Sequence, residues 1–241
     1  MQERESATES EPQATDGHEM TVSTGRAVRR ARWAERVFLV GLAAYAVLAV
    51  LAHRYAYFAW DVNFTKTIQS ISPAWFETFM VWISALGSGW LPVALVGATG
   101  LALMAARFRL EGAILILGVA LGGGLNRILK NISDRPRPDA NLVNVIRVYD
   151  HESFPSGHVV FFIEFFGFLF FLSYVLLKRG HARQALLIVF AGLILLVGVS
   201  RVFMGAHWPS DVVGAYLAGG LWLLFMIEVY RRLKSRERAQ A

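Results

Sequence analysis

Six apolar runs, separated by short polar segments, divide most of this sequence into stretches close to the length of a membrane-crossing helix. Such a helix needs about 20 mainly apolar residues, because it covers about 30 Å of hydrocarbon at 1.5 Å per residue. Backbone groups inside a bilayer must be paired, and a helix pairs them within its own segment. We therefore expect an all-α, polytopic membrane protein built as a bundle of six transmembrane helices. The predicted spans are residues 37–52, 79–105, 112–129, 158–177, 185–199 and 212–229.

Polar segments at both ends complete the predicted domain organisation. Residues 1–25 are rich in Glu, Ser and Thr, and we expect them to form a disordered cytoplasmic tail. Residues 26–36 form a basic juxtamembrane segment, residues 37–230 the membrane domain, and residues 231–241 a basic cytoplasmic tail. A cleaved signal peptide is the alternative for the first apolar run, although its polar leader is long for one.

The distribution of basic residues predicts the orientation of the helices, because Lys and Arg accumulate in cytoplasmic flanks. Alternate ends of the predicted spans are basic, which places both termini in the cytoplasm of a multi-pass protein. The net charge of +6 comes mainly from these flanks, so it indicates membrane topology and not a nucleic-acid partner. We expect the inner or plasma membrane of a bacterium. The basic flanks are residues 26–36, 107–109, 178–183 and 231–238.

Local features modify this plan. The aromatic residues between 53 and 76 favour the headgroup level, so we expect an interfacial helix or a connecting loop there. Small residues at 87–89 predict a bend in the second span, and glycines 122–124 allow a neighbouring helix to approach the third. Glu164 lies inside the fourth span, where we expect it to pair with a polar group such as Arg127, or to handle substrate or protons.

Three polar islands at the ends of apolar runs carry the residues that can do chemistry. Lys130 and Arg137-Pro138 form Lys-x6-Arg-Pro, residues 155–158 read Pro-Ser-Gly-His, and residues 200–211 read Ser-Arg-x5-His-x3-Asp. Polar groups at a bilayer boundary are costly to place and usually functional. The predicted topology puts all three islands on the extracytoplasmic side, where the charge rule does not explain the arginines.

These motifs, in this order, resemble the signature of the type 2 phosphatidic acid phosphatase superfamily of membrane lipid phosphate phosphatases. The motifs cover residues 130–211, and the helix layout extends the resemblance to residues 37–229. The resemblance implies a membrane enzyme with an extracytoplasmic active site that hydrolyses a phosphomonoester or pyrophosphate of a lipid without a cofactor. Candidate substrates are undecaprenyl pyrophosphate, phosphatidylglycerophosphate, phosphatidic acid and a lipopolysaccharide phosphate, and the motifs are common to all of them.

The basic residues of the motifs suit a phosphate ester. Its transition state carries dispersed negative charge, so the main task of the protein is electrostatic. Lys130, Arg137 and Arg201 supply three positive charges, and the planar fork of arginine can bind two phosphate oxygens at once. Backbone amides around Ser156 and Gly157, just ahead of a predicted helix start, can add hydrogen bonds. We predict that these five residues bind phosphate.

His207 is the candidate nucleophile. The chain has no cysteine, which excludes a cysteinyl-phosphate, and an imidazole is the best alternative. Asp211, four residues on, can fix the tautomer of His207. The family resemblance implies the same role and a phospho-His207 intermediate, with His158 as general acid and later as the base that activates water. Residues 208–211 also read as an ordinary helix start, with Pro first and an acid in the first turn.

The sequence leaves other uses open. The two histidines and the aspartate of the motifs could hold a metal ion, although three nearby cations would repel it. The same scaffold could transfer phosphate to a second lipid or sugar, or could bind or transport lipids without catalysis. We expect His151 and Glu152 to be loop residues or contacts to the substrate headgroup, and Asp134 and Arg135 to pair locally.

Overall fold

All regular elements in the part of the chain that the structure describes, residues 16–71 and 73–240 of a computed structural model, are α-helices. Five of the eight helices are long and apolar enough to cross a membrane, so the predicted class of an all-helical, multi-pass membrane protein is confirmed. The helices are α1 (Asp16–Arg54), α2 (Ala59–Gln69), α3 (Ala74–Ala85), α4 (Leu91–Ala105), α5 (Arg109–Ser133), α6 (Gly157–Leu176), α7 (His181–Phe203) and α8 (Pro209–Gln240).

Helix α1 runs without a break from Asp16 through the basic segment into the first apolar run. Residues 16–25 are therefore helical, where the sequence predicts a disordered tail, and residues 1–15 of that tail lie outside the described residues. Ala and Arg are frequent in residues 26–36 and are good helix formers, so the helix of the span extends towards the N-terminus. Its apolar part is Glu35–Arg54. The fold and site discussed below lie within the compact unit that begins at Gly41.

The aromatic segment after α1 contains a helix, α2. Its large side chains Trp60 and Phe64 are exposed, whereas the polar residues Asp61 and Thr65, each one position further on, are fully buried. Exposed aromatic residues are typical of the membrane–water interface. The polar face of α2 is turned inward, towards α7 and α8.

The predicted second span is two separate helices. Helix α3 ends at Ala85 and α4 begins at Leu91, so the bend predicted at residues 87–89 is a complete break. Gly89 has a φ of +60°, a left-handed conformation that glycine adopts without strain. At 15 residues, α4 is about 22 Å long, which is less than the hydrocarbon thickness of a bilayer. The count of six spans therefore stays a prediction.

Helix α6 forms the centre of the bundle and packs against α5, α7 and α8. Every residue from 162 to 168 is buried, and four of them are phenylalanines. Of the three glycines at 122–124, only Gly122 makes a close approach, because a Cβ there would lie 2.0 Å from the Glu164 carboxyl oxygen Oε1. The positions of Gly123 and Gly124 have open space around them. The predicted close contact between helices is thus confirmed at one glycine.

The helix ends that carry the motifs converge. Helix α5 stops at Ser133 because Asp134 takes a left-handed conformation (φ +46°) and prolines follow at 136 and 138. The same end of the bundle holds the start of α6, the end of α7 and the start of α8. At the opposite end, Lys234 of α8 forms a 3.1 Å ion pair with Glu111 of α5. The bundle therefore has a motif-bearing end and an opposite end, where Lys234 and Glu111 lie.

Candidate active site

A cavity of about 210 Å³ lies where α5, α6 and α7 meet at the motif-bearing end. Six of the eight residues predicted for the site line it, and Ser156 and Asp211 do not. Within the described residues, no three His, Asp or Glu side chains are arranged to hold a metal ion. The lining residues are Gly123, Asn126, Arg127, Lys130, Arg137, Tyr149, His151, Glu152, Gly157, His158, Arg201 and His207.

Arg201 is a buried cation with unused donors. Its Nη1 donates to Ser84 Oγ at 2.5 Å and to the Tyr149 hydroxyl at 3.1 Å. Its Nε and Nη2 have no hydrogen-bond partner in the described part of the chain, so they are available to a ligand. The Tyr149 ring contacts the guanidinium groups of both Arg201 and Arg137, at 4.8 and 4.9 Å from its centroid. This shared cation–π contact helps to hold two like charges close together.

Backbone carbonyls anchor Lys130 and Arg137, the other two cations of the motifs. Lys130 Nζ donates to the carbonyl oxygen of Glu152, and Arg137 Nη1 donates to that of Ala206 at 2.7 Å. Burial, with a contribution from the charge of Arg201, lowers the pKa of Arg137 to about 10. Arg137 therefore remains positive at neutral pH, and its charge favours an anion in the cavity.

The contacts of His207 determine its tautomer. Arg137 Nη1 lies 3.1 Å from His207 Nε2, and a guanidinium can only donate, so Nε2 is the acceptor. The ring hydrogen of neutral His207 is then on Nδ1, which lies 3.5 Å from Asp211 Oδ2 and from Ser153 Oγ. The lone pair of Nε2 faces the cavity among the cations. This is the arrangement that a nucleophilic imidazole requires.

His207 is almost completely buried, and burial, followed by the nearby positive charges, holds its pKa well below the ordinary value of 6.5. Between these two values the unfolded chain binds a proton that the native protein does not. We therefore expect the free energy of unfolding to fall by up to about 1.4 kcal/mol per pH unit as the pH drops below about 6.5. Thermal unfolding of the wild type and of His207→Gln between pH 7.5 and 5 measures this contribution. An equal pH dependence of thermal unfolding in the two proteins would contradict the lowered pKa of His207.

Asp211 is fixed by donors from several segments. Its Oδ2 accepts hydrogen bonds from Ser153 Oγ and from the Trp208 amide, the latter at 2.9 Å, and its Oδ1 accepts from Arg135 Nη1 at 2.5 Å. Helix α8 begins at Pro209 with Asp211 in its first turn, as the helix-start interpretation predicts. The carboxylate thus takes part in the helix start and also faces Nδ1 of His207.

Arg135 and Asp61 are site residues that the sequence reasoning missed. The predicted pairing of Arg135 with Asp134 is wrong. Its Nη2 lies 3.0 Å from Asp61 Oδ2 and its Nη1 2.5 Å from Asp211 Oδ1, with all three side chains fully buried. Asp61 also accepts from the Ser210 hydroxyl at 2.7 Å and from the Ser210 amide at 2.9 Å. The only available signal was a single acid in the aromatic segment.

The link between α3 and α4 positions His158. Ser88 Oγ lies 2.9 Å from His158 Nε2 and donates to the carbonyl of Ser84 at 3.1 Å. A Cβ at Gly87 would lie 2.7 Å from His158 Cδ2, so a larger residue at position 87 would displace the imidazole ring. The small residues that predicted a bend therefore also make room for the proposed acid–base residue.

Of the adjacent residues Ser156 and Gly157, only Gly157 lines the cavity. Gly157 lines the cavity, and a Cβ there would lie 3.2 Å from Asn126 Nδ2. The amide of Ser156 donates to the carbonyl of Asp211 at 3.3 Å, so it is engaged within the protein. His151 and Glu152 belong to the loop before α6 and line the cavity.

A second cavity, of about 420 Å³, lies between α4, α5 and α6 and is mainly apolar. It shares Gly123, Asn126 and Gly157 with the basic cavity, so the two are adjacent. Glu164 lines the apolar cavity. Its expected pairing with Arg127 is wrong, because neither of its carboxyl oxygens has a hydrogen-bond partner among the described residues.

Comparisons with known proteins agree with this geometry. The family model of the PAP2 superfamily matches residues 111–235, which include all three motifs. Phosphatidylglycerophosphatase B of Bacillus subtilis is 29% identical over 189 residues, which cover 76% of this chain and 89% of that protein. Undecaprenyl-diphosphatase of Sulfolobus acidocaldarius is 30% identical over 172 residues, or 69% of this chain and 76% of that protein.

A solved structure shares the fold. It is the crystal structure of a transmembrane PAP2 type phosphatidylglycerolphosphate phosphatase from Bacillus subtilis, with a TM-score of 0.71. The alignment covers 81% of this chain and 96% of that chain. At 24% identity, this likeness shows the fold alone.

Proposed function

Because the chain belongs to the PAP2 superfamily, we propose that it is an integral membrane lipid phosphatase that hydrolyses a phosphomonoester or pyrophosphate of a lipid. The observation that carries this proposal is the single cavity lined by the three cations and the two histidines of the motifs. Relatives named for phosphatidylglycerophosphate and undecaprenyl diphosphate support a lipid phosphate or pyrophosphate as the substrate.

Phosphate binding is assigned to the three cations. The free Nε and Nη2 donors of Arg201 bind the equatorial oxygens of the phosphoryl group, and Lys130 and Arg137 neutralise its charge. The Nη1 donor that Arg137 directs at His207 Nε2 moves to a phosphate oxygen when substrate enters. This exchange frees the Nε2 lone pair at the moment when the phosphorus atom arrives.

Catalysis then takes two steps. In the first, His207 Nε2 forms a bond to phosphorus, the bond from phosphorus to the leaving oxygen breaks, and that oxygen takes a proton from His158. Asp211, opposite Nδ1, stabilises the positive charge that develops on the ring of His207. In the second step His158 removes a proton from water, the water oxygen attacks phosphorus, and inorganic phosphate leaves His207. Neither step requires a metal ion or another cofactor.

The orientation in the membrane is part of the same proposal. The basic segments at 107–109, 178–183 and 231–238 lie at the helix ends opposite the cavity. Because such segments are typically cytoplasmic, the cavity faces the extracytoplasmic side and both termini are cytoplasmic. Residues 37–230 then form the catalytic domain, in the plasma membrane of a bacterium.

The function is tested by phosphate release from purified protein in detergent with EDTA, over a panel of lipid phosphates and pyrophosphates. We expect release to survive EDTA. Arg137→Met should lower kcat/KM by about 10² to 10³, because it removes a transition-state cation. The matched control is Arg147→Met, since Arg147 contacts the same Tyr149 ring, at 5.6 Å, but does not line the cavity.

The outcomes separate the candidate functions. Release that requires an added metal would contradict the metal-free mechanism. Release only after a second lipid or sugar is supplied would identify a phosphotransferase. Binding of lipid phosphates without any release would identify a non-catalytic lipid-binding protein.

A further inference from the structure

The apolar cavity is well placed to receive the hydrophobic part of a lipid whose phosphate occupies the basic cavity. The boundary between the two cavities, called the passage below, consists of the three residues that line both: Gly123, Asn126 and Gly157. Two of them are glycines and place no side chain there. The far walls consist of residues such as Val96, Val119 and Phe161.

Glu164 is the unexpected residue of this cavity. It is 1% exposed, and both of its carboxyl oxygens lack a partner among the described residues. Trp222 Nε1–H, which lies beside the same Gly122 position as the carboxyl group, already donates to the Gly118 carbonyl at 2.9 Å. Gly122 leaves room for the carboxyl group, since any larger residue would clash with it. Burying a polar group without a hydrogen bond costs free energy of folding. Because the fold nevertheless accommodates this carboxyl group, we infer that a ligand supplies its hydrogen-bond partner.

The depth of Glu164 limits what that partner is. Glu164 follows His158 by six residues on α6, which corresponds to about 9 Å along the helix axis. A partner at this depth belongs to the part of the lipid just beyond the phosphate. In a glycerol-based lipid this part carries ester carbonyl and hydroxyl oxygens. In a polyprenyl phosphate it is hydrocarbon, which cannot pair with a carboxyl group.

We propose that the apolar cavity receives the proximal part of the lipid and that Glu164 hydrogen-bonds an ester or hydroxyl oxygen of a glycerol-based lipid phosphate. This inference rests on the proposed phosphatase function and assigns its substrate class. A hydroxyl group of the lipid donates to the carboxylate, and an ester carbonyl accepts from the neutral acid. A polyprenyl substrate leaves Glu164 unpaired and is the poorer substrate.

The first test compares the selectivity of three proteins: wild type, Glu164→Leu and Glu164→Gln. The readout is the ratio of kcat/KM for phosphatidic acid to kcat/KM for farnesyl phosphate. We expect Glu164→Leu to lower this ratio about tenfold, the effect of one lost hydrogen bond to a buried group. Glu164→Gln retains a donor and an acceptor, so it should restore most of the ratio. An unchanged ratio in Glu164→Leu would overturn the proposal, because a purely structural role affects both substrates equally.

The second test blocks the passage. Gly123→Leu adds a side chain that faces both cavities, and Gly124→Leu is the matched control, because its Cβ also has open space and Gly124 lines neither cavity. The readout is the ratio of kcat/KM for dipalmitoyl to dihexanoyl phosphatidic acid. We expect this ratio to fall at least fivefold in Gly123→Leu and to stay at the wild-type value in Gly124→Leu. Equal ratios in the two variants would show that the acyl chains of the lipid do not pass between the two cavities.

A failure of the phosphatase function is distinguishable from a failure of this inference. If the wild type releases no phosphate, the same proteins are compared by the thermal stabilisation that phosphatidic acid or farnesyl phosphate gives. Preferential stabilisation by phosphatidic acid that is lost in Glu164→Leu supports the lipid contact without the chemistry. Equal stabilisation by the two lipids overturns it.

Discussion

Replacing His207 with alanine is expected to abolish both phosphate release and the transfer of labelled phosphate to the protein. The substitution removes the proposed nucleophile, whose Nε2 lies in the basic cavity, 3.1 Å from Arg137 Nη1. Loss of an activated nucleophile costs about 10⁴-fold or more in kcat. The measurement uses a lipid with a radiolabelled phosphate and a quench at alkaline pH, where a phosphorus–nitrogen bond persists.

Two further histidine variants sharpen this experiment. His181→Ala, at the exposed start of α7, is the control and should retain both label and turnover. His158→Ala should form the label when the leaving group is p-nitrophenolate, which needs no proton, but should release phosphate slowly because no base activates water. Label on His207→Ala, or none on His158→Ala with this substrate, would reject the assigned roles.

Replacing Arg135 with methionine is expected to destabilise the protein as well as to inactivate it. The change leaves the carboxylates of Asp61 and Asp211 buried without their shared cation. Removal of one partner from a buried ion pair typically costs about 3–5 kcal/mol, because the remaining charge is uncompensated. Activity falls too, since Asp211 loses the contact that fixes its position opposite His207.

Arg137→Met is the control for this prediction, because it is the same substitution two residues along the chain. Among the described residues no carboxylate forms an ion pair with Arg137, and its guanidinium faces the basic cavity. We expect both variants to lose activity but only Arg135→Met to lower the midpoint of thermal unfolding by several degrees. Equal midpoints would show that the buried network does not stabilise the fold.

The sequence predicted the helical membrane class and six of the twelve residues that line the basic cavity, because both appear as local patterns. Apolar runs of span length have few folded solutions in a bilayer. The motif residues Lys130, Arg137 and His158 are placed by helix ends that the polar islands mark, and those ends meet. The roles of these residues stay predictions until the variants are measured.

Contacts between distant segments could not be predicted in this way. Asp61 lies 149 residues from Ser210, and Ser88 lies 70 residues from His158, with no pattern that joins either pair. The expectation that Arg135 pairs with its neighbour Asp134 failed because Asp134 takes a left-handed conformation and ends α5. That turn directs the two adjacent side chains to different surroundings.

The buried contacts of Arg135 also determine when, during synthesis, the protein can become active. Its partners come from the linker after α1, from α2 and from the first turn of α8, so its contacts span most of the chain. During synthesis Asp61 enters the membrane region long before α8 has been made. Its partner in the first turn of α8 is among the last parts of the chain to be synthesised. A chain that stops before Pro209 would carry every cation of the site and His207 itself, yet lack Asp211, the carboxylate that we propose orients it. We therefore expect hydrolysis only after the last helix has been inserted.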